Sequence, residues 1–159
     1  MAKQTREKFL VYIAGPFFNP EQVAVIEAIK ALLSTFKRMC TFYSPKDDSL
    51  YVPGKTDPQA SFDMNVRKIY ESSLVIAVTD GKDPGTLFES GYAYAVGTPI
   101  VYLWLTGLPG MKFNLMLAKS GIAVCRSWGD LNIVVEDFLI HDGQLSGTPA
   151  NLIDGKEIE

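Results

Sequence analysis

Glu89 is the only charged residue in the 28 positions from Pro84 to Met111. A lone carboxylate in so apolar a run must be solvated at an edge, paired, or held there for chemistry. Held in an apolar cleft it can act as a general base, a metal ligand or a nucleophile. The metal reading is weak. His141 is the only histidine, and Cys40 and Cys125 sit in apolar segments without ligand spacing. A nucleophile needs an orienting hydrogen bond and a second acid to assist the leaving group. Tyr12 could give the bond, and Asp83, six residues before Glu89, the acid. Two carboxyls in unlike environments acting on a glycosyl centre follow the logic of retaining glycosidases.

Each of these residues also has a plainer role. Thr86-Leu87-Phe88-Glu89 spells a capping box, in which Glu89 would only return a bond to the Thr86 amide. Asp83 followed by Pro84 offers a competing helix start, with the aspartate as N-cap and proline at the first helical position. That register is favoured. It puts Glu89 nearly two turns into the helix, out of capping reach, with Tyr92 and Ala93 as its neighbours. Tyr12 fits simple core packing as well as it fits chemistry. Phe17, Phe18, Trp104 and Phe113 could wall a planar ring or fill a core.

The elements that would position these groups alternate. Phe9 to Ala14 reads as a buried strand, and Asn19-Pro20-Glu21 caps an amphipathic helix through Phe36. Cys40 to Tyr43 is a second strand, followed by a polar loop from Lys46 to Ala60 and a helix capped by Ser61. Leu74 to Val78 and Pro99 to Leu105 are apolar on both faces, as central parallel strands are. A short helix around Asn114 to Lys119, a last strand at Ile122 to Cys125 and a helix capped by Ser127 complete the pattern. The expected fold is α/β: one domain over residues 1–159 with a flavodoxin-like open parallel five-stranded sheet flanked by helices. Ligands of such sheets sit at the carboxyl ends of the strands, where Tyr12 and Asp83 both fall. The polar stretch from about 142 to 159 reads as peripheral.

Composition excludes several function classes. The chain has 159 residues, 21% charged, with a net charge of −3, which leaves no electrostatic footprint for nucleic acid. Gly97-Thr98-Pro99 breaks the apolar run from Leu87 short of a membrane span, and the polar first eight residues lack a signal-peptide core. A cytoplasmic protein with no membrane association is the expectation. Neither GxxxxGK[ST] nor GxGxxG is present, so FMN, NAD and ATP are disfavoured as cofactors.

Taken in order, three segments resemble the nucleoside 2-deoxyribosyltransferase family. Val11-Tyr12-Ile13-Ala14-Gly15-Pro16-Phe17-Phe18-Asn19-Pro20 looks like the family's opening strand and loop. Asp83-Pro84-Gly85-Thr86-Leu87-Phe88-Glu89-Ser90-Gly91 is similar to its aspartate, glycine and nucleophilic-glutamate motif, with the same internal spacing. Phe113-Asn114-Leu115-Met116 resembles the segment that members lend to a neighbouring subunit's active site. The resemblance implies exchange of free purine or pyrimidine bases between 2′-deoxynucleosides, with no metal or cofactor. Glu89 would attack C1′ and form a covalent deoxyribosyl-enzyme, Tyr12 would orient it, and Asp83 would protonate the leaving base. Phe17, Phe18 and Gly85 would line the base and sugar site. Asn114, from a second subunit, would bind the 5′-hydroxyl, with Met116 packing nearby, so a homo-oligomer with shared sites is implied. Members often hold the sugar 3′-hydroxyl with an aspartate; the matching position here is Asn65, with Asp63 one step off the register, and both stay candidates. The alternatives are a 2′-deoxynucleoside 5′-monophosphate N-glycosidase and a non-catalytic nucleoside-binding module.

Overall fold

The computed structural model describes residues 7–147 and 155–159. Five strands, β1 (Phe9–Ala14), β2 (Cys40–Tyr43), β3 (Leu74–Val78), β4 (Ile100–Leu103) and β5 (Ala123–Cys125), form one sheet in the order β2-β1-β3-β4-β5. Every pairing is parallel. The helices are α1 (Pro20–Thr35), α2 (Pro45–Asp48), α3 (Pro58–Glu71), α4 (Pro84–Val96), α5 (Leu115–Ser120) and α6 (Trp128–Ile140). The five-stranded parallel α/β sheet inferred from the alternating pattern is therefore the one observed.

Strand alternation sorts the core into two layers. Val11, Ile13, Ile76, Val101 and Cys125 face one way, onto Ile26, Ile29 and Leu33 of α1 and Leu131, Val134 and Phe138 of α6. Tyr12, Ala14, Val75, Ala77, Ile100 and Tyr102 face the other way, onto Ile69 of α3 and Ala93 of α4. Strand order reverses between β1 and β3, and the crevice at their carboxyl ends is where such a sheet takes a ligand.

Three helices begin with the same device, a capping side chain followed by proline. Asn19, Asp57 and Asp83 accept from the N–H of Gln22, Gln59 and Thr86, and Pro20, Pro58 and Pro84 follow at the first helical position. The middle one corrects the expected cap at Ser61. α3 starts a turn earlier, because Asp57-Pro58 is the stronger start signal. The 46–60 loop is shorter than expected for the same reason, and Pro45–Asp48 adds a single helical turn at its start. α4 ends at Gly97, whose φ of +81° is the left-handed C-cap that glycine adopts without strain.

A second correction concerns the polar tail. Residues 155–159 are not peripheral. Phe113 forms a parallel bridge with Ile158, so this segment lies along the entry to α5. No helix among the described residues is long and apolar enough to cross a membrane.

Candidate active site

The β1 register sets the first residue. Tyr12 lies level with Tyr43 of β2 and Val75 of β3, and it is fully buried. Its ring stacks on Tyr43, with centroids 5.5 Å apart and planes 24° from parallel. Its hydroxyl donates to Glu89 Oε1 at 2.5 Å. Burial and the Glu89 charge both push the Tyr12 phenol up, so it stays a donor across the physiological range.

Glu89 lies in the second turn of α4, half-buried. Burial, with the nearby Asp83 charge adding to it, pushes its carboxyl up to about 7 against the opposing pull of the Tyr12 bond. A half-buried carboxylate poised near neutrality, with a fixed donor on one oxygen, suits either a nucleophile or a base.

Asp83 has its structural job as well. Oδ2 accepts from Thr86 N at 2.7 Å and from Thr86 Oγ1 at 2.9 Å, capping α4. Both bonds fall on one oxygen, so Oδ1 is not needed for the cap. Gly85 permits this fold-back, since a Cβ there would sit 3.1 Å from Asp83 Oδ2.

The sequence model of the nucleoside 2-deoxyribosyltransferase family matches residues 11–139. The chain belongs to that family. Its members transfer the deoxyribosyl group of 2′-deoxynucleosides, and this protein is an enzyme of that glycosyl-transferring kind. Among solved structures, the 2-deoxyribosyltransferase of Bacillus psychrosaccharolyticus is 26% identical with a TM-score of 0.65, over 77% of this chain and 90% of that one. The 2-desoxiribosyltransferase of Leishmania mexicana shares the fold at 24% identity and a TM-score of 0.62, over 86% and 99% of the two chains. A CMP N-glycosidase of Clostridium botulinum shares it at 17% identity and 0.54, over 80% and 98%. No curated protein sequence matches the chain.

In this family member the two candidates on α3 part company. Asn65 Oδ1 accepts from Tyr43 Oη at 3.1 Å and from Ser49 Oγ, which ties it to the Tyr12–Glu89 cluster. Asp63 is exposed and accepts from Gln59 Nε2 at 2.7 Å along its own helix. Tyr43 and Ser49 were not singled out from sequence. Tyr43 ends β2 on the same side as Tyr12, a signal visible only once the two strands are placed in register.

Phe17 and Phe18 follow β1 and stack on each other at 5.5 Å, the first half-buried and the second exposed. Asp80, at the end of β3, accepts from the backbone of Leu105 and Thr106 and so pins the loop leaving β4.

Asn114 and Met116 do not reach Glu89 within one subunit. Asn114 opens onto a cavity of about 610 Å³ lined also by Lys82, Leu87, Trp104, Lys112 and Phe113, which Glu89, Asp83 and Tyr12 do not line. Leu87 and Glu89 are two residues apart on α4, about 200° around the helix, so the cavity and the Glu89 cluster lie on opposite flanks of it. The Asn114 carbonyl is committed: Oδ1 caps α5 by accepting from Met116 N and Leu117 N. Its amide NH₂ is what it can offer a ligand. Met116 is 75% exposed. No cluster of three or more His, Cys, Asp or Glu side chains among the described residues is placed to hold a metal ion.

Proposed function

We propose that the protein exchanges nucleobases between 2′-deoxynucleosides through a covalent deoxyribosyl-Glu89 intermediate. The observation that carries this reading is the buried Tyr12 hydroxyl on Glu89 Oε1, beside Asp83, at the β1/β3 crevice. Oε2 of Glu89 attacks C1′ as the C1′–N bond breaks and its electrons pass to the base. Asp83 delivers a proton to the departing base. An incoming base then attacks C1′, the C1′–O bond to Glu89 breaks, and Asp83 takes the proton back. The transition state has oxocarbenium character, so the carboxylate stabilises charge where it develops. Without a 2′-hydroxyl that cation forms more easily, which favours deoxy over ribo donors.

Asn65, held by Tyr43 and Ser49, contacts the sugar 3′-hydroxyl in this reading, and Asp63 does not take part. Phe17 and Phe18 flank the base. Asn114 of a neighbouring subunit donates its amide N–H to the 5′-oxygen, and Met116 packs beside it. The enzyme thus works as a homo-oligomer with shared sites. Deoxyinosine or thymidine incubated with free adenine should give deoxyadenosine, read by chromatography; no exchange with any donor and acceptor pair sinks the transferase reading.

One observation favours a second reading, hydrolysis of 2′-deoxynucleoside 5′-monophosphates. Lys82 and Lys112 line the cavity beside Asn114, so cations for a 5′-phosphate are at hand, and an amide N–H suits a phosphate oxygen as well as a hydroxyl. Rates on a deoxynucleoside and on its 5′-phosphate, with and without acceptor base, separate the two.

A further inference from the structure

The loop from Leu105 to Asn114 carries no helix or strand of its own, and α5 after it has only six residues. A helix that short is marginal by itself. Something else must hold Asn114 in place.

The side-chain half of the answer is Phe113. It is buried, with its ring 5.1 Å from Trp104 and 5.8 Å from Tyr102. The backbone half comes from residues 157–159. Phe113 N donates to Glu157 O at 2.8 Å, Glu159 N donates to Phe113 O at 3.0 Å, and Leu115 N donates to Glu159 O at 2.7 Å. That is a short parallel ladder astride Asn114, with Ile158 bridged to Phe113. A charge pair anchors it. Arg126 Nη1 meets Glu157 Oε1 at 3.1 Å, and the same guanidinium lies 5.5 Å from the Trp104 ring centre. The ring packing under Phe113 and the anchor of the ladder therefore meet at Trp104.

We propose that residues 157–159 are a strap that positions Asn114 for its work, with Arg126 and Glu157 as its anchor. Glu157, Ile158, Glu159 and Arg126 are positioning residues. They act through Asn114; Glu159 also lines the cavity onto which Asn114 opens, so Glu159→Ala separates its side chain from its backbone N–H. The inference rests on the proposed role of Asn114 at the 5′-oxygen, and it adds a determinant of donor affinity far along the chain from the catalytic carboxylates. Pinning Phe113 and Leu115 on both sides holds the backbone at Asn114, where Oδ1 caps α5 and the NH₂ is left for a ligand.

Glu159→Pro removes the N–H that reaches Phe113 O, while Glu159→Ala keeps it. Hydrogen exchange of the full chain tests the strap itself: the Phe113 and Leu115 amides lose protection in Glu159→Pro and keep it in Glu159→Ala. Unchanged protection in the proline variant overturns the strap. Kinetics tests its role. In Glu159→Pro and Glu157→Gln, kcat/KM for a 2′-deoxynucleoside falls about tenfold, through KM, as for one misplaced hydrogen bond. For a 2′,5′-dideoxynucleoside donor, which has no 5′-oxygen, wild type and variants run alike. An equal loss on both donors means general destabilisation and refutes positioning, as does no loss on either. A wild type that turns over no donor instead refutes the functional reading, and the positioning role with it.

Discussion

Glu89 is under opposing pressures, and they make its pH behaviour predictable. Burial and the Asp83 charge hold its carboxyl up at about 7, while the Tyr12 hydrogen bond pulls it down. A nucleophile must be ionised, so kcat/KM should rise with pH as Glu89 ionises through about 7. Tyr12→Phe removes the downward pull and should carry that limb to higher pH; a profile that stays in place would show that Tyr12 does not tune Glu89. The stability consequence has a definite sign. Folded Glu89 holds its proton more tightly than the unfolded chain, whose value is near 4.5. Its contribution to stability is fully present below the unfolded value and is lost as pH rises through about 7. Glu89→Gln cannot ionise, so it should abolish transfer yet melt above wild type at pH 8, with the gap closing toward pH 4. Equal melting gaps at both pH values would contradict a strained carboxylate. The association of Glu89 with Tyr12 and Asp83 was legible in the sequence because an isolated charge in an apolar run needs partners. That Asn65, rather than Asp63, is tied to the Tyr12–Glu89 cluster was also within reach. Asn65 lies four residues before buried Ile69, on the same side of α3, whereas Asp63 is two positions further back and turned away.

At the scale of elements, the proposed mechanism asks two jobs of one residue of α4: Asp83 caps the helix and would also protonate the leaving base. The jobs can be separated. Asparagine keeps a carbonyl acceptor for Thr86 N but cannot deliver a carboxyl proton. Asp83→Asn should therefore stay within about 0.5 kcal/mol of wild-type stability while base exchange falls about a hundredfold or more, the usual scale for a lost general acid. Asp83→Ala should lose both, at a stability cost of about 1 kcal/mol. Urea unfolding alongside the exchange assay checks the pair, and an active Asp83→Asn would reduce Asp83 to a cap. The same capping chemistry explains what the sequence did and did not disclose about the fold. Asn19-Pro20 and Asp83-Pro84 each precede an obvious apolar stripe, so their helices were placed correctly. Asp57-Pro58 precedes Gln59, Ala60 and Ser61, and reading α3 from its stripe at Phe62 started it a turn late. The strap escaped altogether. Its pairing with Phe113 to Leu115 is a backbone contact between segments far apart in the chain, and no local periodicity records it.

At the scale of the molecule, one subunit divides the proposed site between the two flanks of α4. Glu89, Tyr12 and Asn65 gather on one flank; Asn114 opens on the other, beyond Leu87. α4 and α5 are apolar for exposed helices: Leu87, Phe88, Tyr94 and Met116 are all solvent-facing in the single chain, and the Phe88 ring lies 5.8 Å from exposed Phe62. A two-fold partner seated across α4 would bring the Asn114 of each chain to the Glu89 of the other, since an isologous contact presents both flanks at once. Light scattering should then give an oligomer, and a monomer would contradict the shared site. Complementation makes a sharper check. Glu89→Gln keeps Asn114 and loses the nucleophile; Asn114→Ala keeps the nucleophile and loses the 5′ contact. Each alone should be impaired. In an equal mixture refolded together, half of the dimers are mixed, and each mixed dimer holds one intact site. Activity at low donor concentration should recover to about a quarter of wild type. A mixture no more active than the sum of its separate parents would mean that Asn114 serves its own chain or none, and the half-sites would have to be redrawn.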